Sequence, residues 1–190
     1  MELHSKDRFR KVEITDIAIK KVQRISYKGL TEDQNDILYR LARLVLIRSK
    51  AENNSNEVAY TIDLADLDGK RGFAKGDEHG VNVGSDSDSY HLVDAGDDVA
   101  IVHNHPSTQT LSLQDIYLFL TNAPIKVIVV VSNQGTVHYL MKDKNYSFAS
   151  ARDLYNSCVG ELPDKPPAKE SYGAALDFLT HCTEVGLYYH

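Results

Sequence analysis

The sequence has few of the features that mark secreted, membrane-spanning or repeat proteins. It contains two cysteines in 190 residues, Cys158 and Cys182, without the spacing of a zinc or redox motif. No signal-peptide pattern follows Met1, so we expect reduced, buried thiols and a cytoplasmic protein. No run approaches the roughly 18 apolar residues of a membrane span, and no internal repeat occurs.

An excess of positive charge is also missing. The net charge is −6, so bulk electrostatics give no support to nucleic-acid binding. The first 28 residues are locally basic, and a solvent-exposed face explains them more simply than docking on an acidic surface. We therefore expect no membrane contact and no direct nucleic-acid binding, and the oligomeric state stays open.

The first half of the chain contains one clear helix and one clear strand. Residues 10–24 alternate in part and show helical spacing in part, so both interpretations stay open. Thr31 and Gln34 form a capping-box pattern, and the apolar stripe after them predicts a helix to about Lys50. Residues 57–64 are rich in β-branched and aromatic side chains and predict a strand.

The glycine-bearing stretch between residues 70 and 98 has a weaker pattern. We expect short strands near residues 72–75 and 81–83, followed by a mobile loop. Such a loop beside a site is often a lid or contacts substrate, and plain surface irregularity is an equal alternative.

The second half alternates strands and helices. Apolar strands are predicted at 99–105 and 125–131, and residues 136–142 return antiparallel after a tight turn. A helix begins at Ser112, and the remaining helices and the C-terminal packing segment are predicted at 150–159, 168–185 and 188–190. Helices on both sides of a mixed sheet of about five or six strands predict an α/β (α+β) three-layer fold.

Residues 99–116 contain the chemistry-bearing side chains. His103 and His105 project to the same side of a strand, because successive side chains alternate between faces. Asp115 arrives on the first turn of the next helix. Two imidazoles and a carboxylate form a three-ligand zinc site with an open position. Taken alone, Ser112 and Asp115 would indicate only a helix cap, and His103 only a core histidine.

The segments His103-Asn-His105-Pro106 and Ser112-Leu-Gln-Asp115 resemble the metal motif of the JAMM/MPN (JAB) metalloprotease superfamily, nearest its prokaryotic JAB and RadC-like branch. The order of elements over residues 31–142 is also similar. Residues 1–30 and 143–190 would be an N-terminal extension and a C-terminal helical extension of this core, within a single domain, 1–190. In one departure, six residues (106–111) separate the second histidine from the serine, where seven are usual.

The resemblance implies a JAB/MPN-like three-layer fold and one zinc ion per chain. His103, His105 and Asp115 would be the ligands, Glu57 the general base and Ser112 the residue that steadies the oxyanion.

For the general base, Glu52 and Glu78 are alternatives. Glu57 is preferred because the start of a strand gives a more fixed position than a turn or a glycine-rich loop.

The implied activity is zinc-dependent hydrolysis of a peptide or isopeptide bond, at the tail of a ubiquitin-like or other protein substrate. Two alternatives stay open. One is a RadC-like protein associated with DNA metabolism or mobile elements, which the acidic charge disfavours as a direct DNA binder. The other is an inactive JAMM-like interaction module, against which the presence of every expected ligand argues.

Overall fold

A six-stranded mixed sheet separates two layers of helices. The computed structural model describes residues 9–160 and 162–190, so the first eight residues of the predicted N-terminal extension lie outside the described part. The described residues form six helices: α1 (Asp16–Lys21), α2 (Glu32–Glu52), α3 (Ser87–Ala95), α4 (Leu113–Thr121), α5 (Phe148–Val159) and α6 (Ala168–His181). The six strands are β1 (Val58–Asp63), β2 (Gly72–Lys75), β3 (Val99–His105), β4 (Ile125–Ser132), β5 (Val137–Lys142) and β6 (Leu187–Tyr189). The predicted three-layer α+β class is confirmed.

The strand order in the sheet is β2-β1-β3-β4-β5-β6. In the described chain β3 and β4 form the one parallel pair, and the other neighbours are antiparallel. A parallel pair needs a crossover connection, and α4 lies in this one. The carboxyl end of β3 therefore leads into the amino end of α4, while the start of β1 lies beside the end of β3.

Each face of the sheet has its own core. One core joins α2 to the sheet through residues such as Leu38, Leu41 and Val102. The other joins α4, α5 and α6 to the opposite face, through residues such as Ile101 and Phe178. Neighbours on β3 thus point into different cores, which explains its uninterrupted apolar run.

Several local patterns predicted their structures. Thr31 Oγ1 accepts from the Gln34 N–H at 3.2 Å, and Gln34 Oε1 accepts from the Thr31 N–H at 2.9 Å. This capping box begins α2, which ends at Glu52. The strand at residues 72–75 is confirmed as β2, and α4 begins after Ser112.

The prediction for residues 81–98 is wrong in two respects. Residues 81–83 form no strand, and a 3₁₀ turn occupies Val83–Ser85. The expected mobile loop contains α3, whose cap Asp86 accepts from the Ser89 N–H at 2.8 Å. Serine and aspartate are weak helix formers but strong N-caps. The Ser-Asp run therefore concealed a helix start.

The chain ends also differ from the simplest expectations. The ambiguous segment at 10–24 contains the short helix α1, capped by Thr15, with extended chain around it. The last predicted helix ends at His181 and continues as a 3₁₀ turn over Cys182–Val185. The C-terminal residues form β6, which pairs with β5, so the helical extension also completes the sheet.

Neither cysteine forms a disulfide. Cys182 is buried, as expected, whereas Cys158 is only partly buried. No helix in the described ranges combines the length and apolar character needed to cross a membrane.

Candidate metal centre

Strand β3 ends in two buried histidines whose rings meet. His103 and His105 follow Ile101 at two-residue steps and therefore face the α4 side of the sheet. Their Nε2 atoms are 3.1 Å apart. The exposed fractions of the two residues are 2% and 6%, so the ring nitrogens are largely removed from water.

Asp115 completes this group from the first turn of α4. Its Oδ1 atom lies 3.2 Å from His103 Nε2, and its Oδ2 atom lies 3.2 Å from His105 Nε2. The structure therefore brings the three expected ligands together. Their positions follow from a strand that ends at His105 and a helix whose N-cap, Ser112, lies three residues before Asp115.

Glu57 enters the group through the pairing of β1 with β3. Ala59 lies opposite His103 in this antiparallel register, which places Glu57 beside His105. Glu57 Oε1 is 3.9 Å from His105 Nε2. Candidate ligand atoms of Glu57, His103 and His105 all lie within 4.8 Å of one another. This buried group is able to bind a metal ion.

The backbone of Glu57 is held by the segment after β2. The Glu57 N–H donates to the Asp77 carbonyl, and the Gly76 N–H donates to the Glu57 carbonyl, both at 2.9 Å. A Cβ atom added at Gly76 would lie 2.1 Å from the Gly80 carbonyl oxygen. Glycine at residue 76 therefore permits the tight turn that carries the partner of Glu57.

The two alternative bases lie in different surroundings. Glu52 is paired with Arg48 and with Lys75 at the end of α2. Glu78 is half-exposed, lies 3.5 Å from His79 and lines an open cleft beside the group. Among these three acids, Glu57 is the one recorded in contact with a motif histidine.

The buried charges shift one another's protonation. Burial raises the pKa of Glu57, against the opposing effect of the two histidines. Burial alone would lower the pKa of His105, but the Asp115 and Glu57 carboxylates raise it to about 9. Burial would raise the pKa of Asp115, yet His103 and His105 hold it well below its usual range. Without a metal, the group therefore favours an ionised Asp115 beside a protonated His105.

Ser112 is the N-cap of α4, and its hydroxyl both donates a hydrogen bond to Asp115 and accepts one from it. Its hydroxyl donates to Asp115 Oδ2 at 2.6 Å and accepts from the Asp115 N–H at 3.1 Å. The Ser112 N–H donates to the same carboxylate oxygen at 2.7 Å. These bonds fix the carboxylate that faces the histidines, and they occupy the hydroxyl hydrogen of Ser112.

The group lies in an open cleft of about 980 Å³. Glu57, His105, Ser112 and Asp115 line it. Its rims come from four stretches, which supply Phe9 and Lys11, residues 78–84, residues 106–109, and the segment around Ala168. Four residues of the group or its support are therefore accessible from this cleft.

The spacing of the two imidazole nitrogens fits a small cation. Ligands bound to zinc at about 2.0–2.1 Å in a tetrahedral arrangement lie about 3.3 Å apart. The two Nε2 atoms are 3.1 Å apart, close to this value, and each lies 3.2 Å from a different oxygen of Asp115. Two imidazole nitrogens and a carboxylate also form a donor set that zinc accepts.

The sequence interpretation missed the polar contacts behind the histidines. Asn104, between them, is fully buried, and its side-chain amide forms hydrogen bonds with the Val58 N–H and with Asn133 Oδ1. The Thr110 backbone accepts a hydrogen bond from the His105 ring, and Thr110 Oγ1 lies 2.9 Å from Tyr189 Oη. The sequence signal available for Asn104 was its position between two candidate ligands. For Tyr189 there was none, because it lies on a distant strand.

Comparison with known proteins gives no relative for this chain: no family model matches, and neither the curated proteins nor the solved structures give a match.

Proposed function

We propose that this chain is a zinc-dependent metallopeptidase that hydrolyses a peptide or isopeptide bond in a protein tail. The observation that supports it most is the convergence of His103, His105, Asp115 and Glu57 at one side of an open cleft. The motif resemblance to the JAMM/MPN (JAB) superfamily points to the same activity and remains a prediction.

His103, His105 and Asp115 would hold the metal. Zinc, when bound, supplies a Lewis acid that polarises a carbonyl and lowers the pKa of a water to about 7. Asp115 is oriented for this task by Ser112, and His105 by the Thr110 backbone. Such partners fix the ligand atoms and strengthen metal binding.

Glu57 is the proposed general base. Its carboxylate takes a proton from the attacking water, whose oxygen forms the new bond to the carbonyl carbon. Glu57 then gives that proton to the leaving nitrogen as the C–N bond breaks. Burial raises its pKa, which suits a group that must both accept and donate a proton near neutral pH.

Ser112 has two possible contributions in this scheme. In the structure its hydroxyl donates to Asp115 Oδ2. To stabilise an oxyanion, as the resemblance implies, the hydroxyl would have to exchange that acceptor for the substrate oxygen. Orientation of Asp115 is the contribution that the observed contacts support.

The proposed substrate is an extended protein segment. The cleft is open to solvent, and residues 78–84 contribute to its lining. A ubiquitin-like tail fits this proposal, which rests here on the resemblance alone.

The decisive experiment pairs metal analysis with cleavage of linear and isopeptide-linked ubiquitin-like fusions. We expect about one zinc per purified chain. Glu57→Gln should keep zinc affinity within tenfold of the unmodified chain and lower turnover by at least about a thousandfold. The matched control is Glu52→Gln, which removes an acid outside the cleft lining. A chain without zinc, or a fully active Glu57→Gln variant, would refute the proposal.

A second candidate has one observation in its favour. Glu57 belongs to the same buried group of ligand atoms as the two histidines. If Glu57 were a fourth ligand, the site would be a closed structural zinc centre, consistent with an interaction module. In that case Glu57→Gln would lower zinc affinity by orders of magnitude, and no cleavage would occur in either form.

A further inference from the structure

Asn104 lies between the two candidate metal ligands and points the opposite way. Alternation along β3 turns its side chain away from the His103 and His105 rings. Its exposed fraction is 0%. A polar side chain that is fully removed from water requires partners for its amide.

The contacts of Asn104 use both ends of its amide. Oδ1 accepts from the Val58 N–H at 2.9 Å. Nδ2 donates to Asn133 Oδ1 at 2.8 Å, to the Asn56 carbonyl at 3.2 Å and to Ser49 Oγ at 3.3 Å. The acceptor and both donor hydrogens are thus engaged.

Two of these partners, Asn56 and Val58, are the residues on either side of Glu57. One side chain on the ligand strand therefore holds the backbone immediately before and immediately after the proposed base. Backbone pairing of β1 with β3 begins only at Ala59. The backbone of Gly76 and Asp77 holds Glu57 from the β2 side, so Asn104 supplies the support from the β3 side.

Asn133 braces the same contact from the turn between β4 and β5. Its Nδ2 donates to the Val12 carbonyl at 2.7 Å and to the Ser55 carbonyl at 2.8 Å. Its N–H donates to the His105 carbonyl at 2.9 Å. The orientation of the Asn104 amide is thereby fixed by a second buried amide.

We propose that Asn104 is a positioning residue that sets the placement of Glu57 relative to the His103–His105 pair. The inference rests on the proposed function for the role of Glu57. Its structural core, the fixation of residues 56–58 by Asn104, is testable without any activity. The 3.9 Å approach of Glu57 Oε1 to His105 Nε2 is the geometry that Asn104 maintains.

A general role in stability predicts a different result from a positioning role. Loss of a buried contact that only stabilises the fold weakens the whole sheet. Loss of the Asn104 amide should instead release the start of β1 and leave the three proposed ligands in place, because they lie on β3 and α4.

The test measures amide hydrogen exchange by NMR on the zinc-loaded full chain. In Asn104→Ala we expect exchange at Glu57 and Val58 to accelerate at least tenfold more than at Thr61 and Ile62 of the same strand. The matched control is Val127→Ala, a core truncation on β4, which should accelerate exchange evenly. An even increase in Asn104→Ala would overturn the proposal.

Two further measurements separate this inference from the proposed function. Zinc affinity of Asn104→Ala should stay within tenfold of the unmodified chain. Turnover of Asn104→Ala should be at least thirtyfold lower than that of the unmodified chain. In the double variant with Glu57→Gln, Asn104→Ala should lower turnover less than threefold further than Glu57→Gln alone. If the losses of turnover in the two single variants multiplied fully in the double variant, the positioning role would be overturned. If the unmodified chain cleaves no substrate, the proposed function is refuted. The hydrogen-exchange measurement then still tests whether Asn104 fixes residues 56–58.

Asn133→Ala serves if Asn104→Ala does not fold. It removes one partner of the Asn104 amide and keeps the contacts to Val58, Asn56 and Ser49. We expect the same localised acceleration at residues 56–58, at least threefold above that in the rest of β1. Unchanged exchange there would contradict the inference.

Discussion

The two faces of β3 bury polar groups in opposite ways. On the α2 side, Asn104 is neutral and has partners for its oxygen and both amide hydrogens. On the α4 side, His103 and His105 direct Nε2 atoms at each other and at Asp115. Glu57 adds a second carboxylate. Asn104, the two histidines and Glu57 are all buried, so exposure does not explain the difference.

A neutral amide network is complete by itself, whereas a cluster of carboxylates and imidazoles holds its charge balance only through bound cations or protons. The α2 side of β3, which we call the amide face, therefore has the properties of a scaffold. The α4 side, which we call the histidine face, has the properties of a binding site that is complete only with a cation. Changes to the side chains or protonation of the histidine face should therefore alter zinc affinity more than changes to the amide face.

The largest effect is expected from loss of a histidine. His103→Ala removes one of three proposed ligands and should lower zinc affinity at least about a thousandfold, because several kcal/mol of binding free energy are lost with each ligand. Competition with a chelator measures it. His181→Ala is the matched control, since that ring lies on α6 and contacts the Asp177 carbonyl. Comparable zinc affinity in the two variants would contradict the site.

The next effect is a dependence of zinc binding on pH. His105 has a raised pKa of about 9 in the metal-free chain, and zinc binds only the deprotonated ring. Below pH 9 zinc must displace this proton. Its affinity should therefore rise about tenfold per pH unit from pH 7 and level off above pH 9.

Calorimetry in buffers of different ionisation enthalpy should detect the release of about one proton at pH 7. Asn104→Ala should show the same pH slope, because the amide face does not titrate. A flat profile between pH 7 and 9 would mean that His105 is not a ligand.

Local patterns predicted the histidine face, because each pattern depends on neighbours in the sequence. Strand alternation placed His103 and His105 on one side, and the capping pattern at Ser112 placed Asp115 on the first turn of α4. The zinc, the activity and the roles of Glu57 and Ser112 remain predictions.

Long-range pairing produced the contacts that local sequence patterns could not predict. The approach of Glu57 depends on the register in which Ala59 meets His103. The amide network joins five residues that are distant in the sequence: Val12, Ser49, Val58, Asn104 and Asn133. Strand β6 pairs with β5 from the end of the chain. A single sequence gives no period or spacing for such contacts, whereas α3 was missed for a local reason, the Ser-Asp run at its cap.

A smaller effect is expected when the support of Asp115 is removed. Ser112→Ala eliminates the hydroxyl that donates to Asp115 Oδ2. Zinc affinity should fall roughly ten- to a hundredfold, as is usual for partners of metal ligands. The free energy of unfolding should fall by about 1 kcal/mol through the lost cap.

Ser147→Ala is the control for the cap alone. Ser147 accepts from the Ser150 N–H at the start of α5 in the same manner, away from the cleft lining. It should cost similar stability and leave zinc affinity unchanged. If Ser112→Ala also left zinc affinity unchanged but slowed cleavage, Ser112 would act on the substrate oxyanion instead.

The smallest effect tests whether β6 contributes to the histidine face. Tyr189 Oη lies 2.9 Å from Thr110 Oγ1, and the Thr110 backbone accepts from the His105 ring. Tyr189→Phe removes only this hydroxyl, so zinc affinity should fall roughly two- to fivefold, which corresponds to one hydrogen bond.

Thr110→Val should lower zinc affinity by a similar factor. The double variant should bind zinc about as well as either single variant, because both changes break the same contact. Tyr188→Phe, on the same strand, should leave zinc affinity unchanged. Equal losses in Tyr188→Phe and Tyr189→Phe would mean that β6 acts through the stability of the sheet rather than through His105.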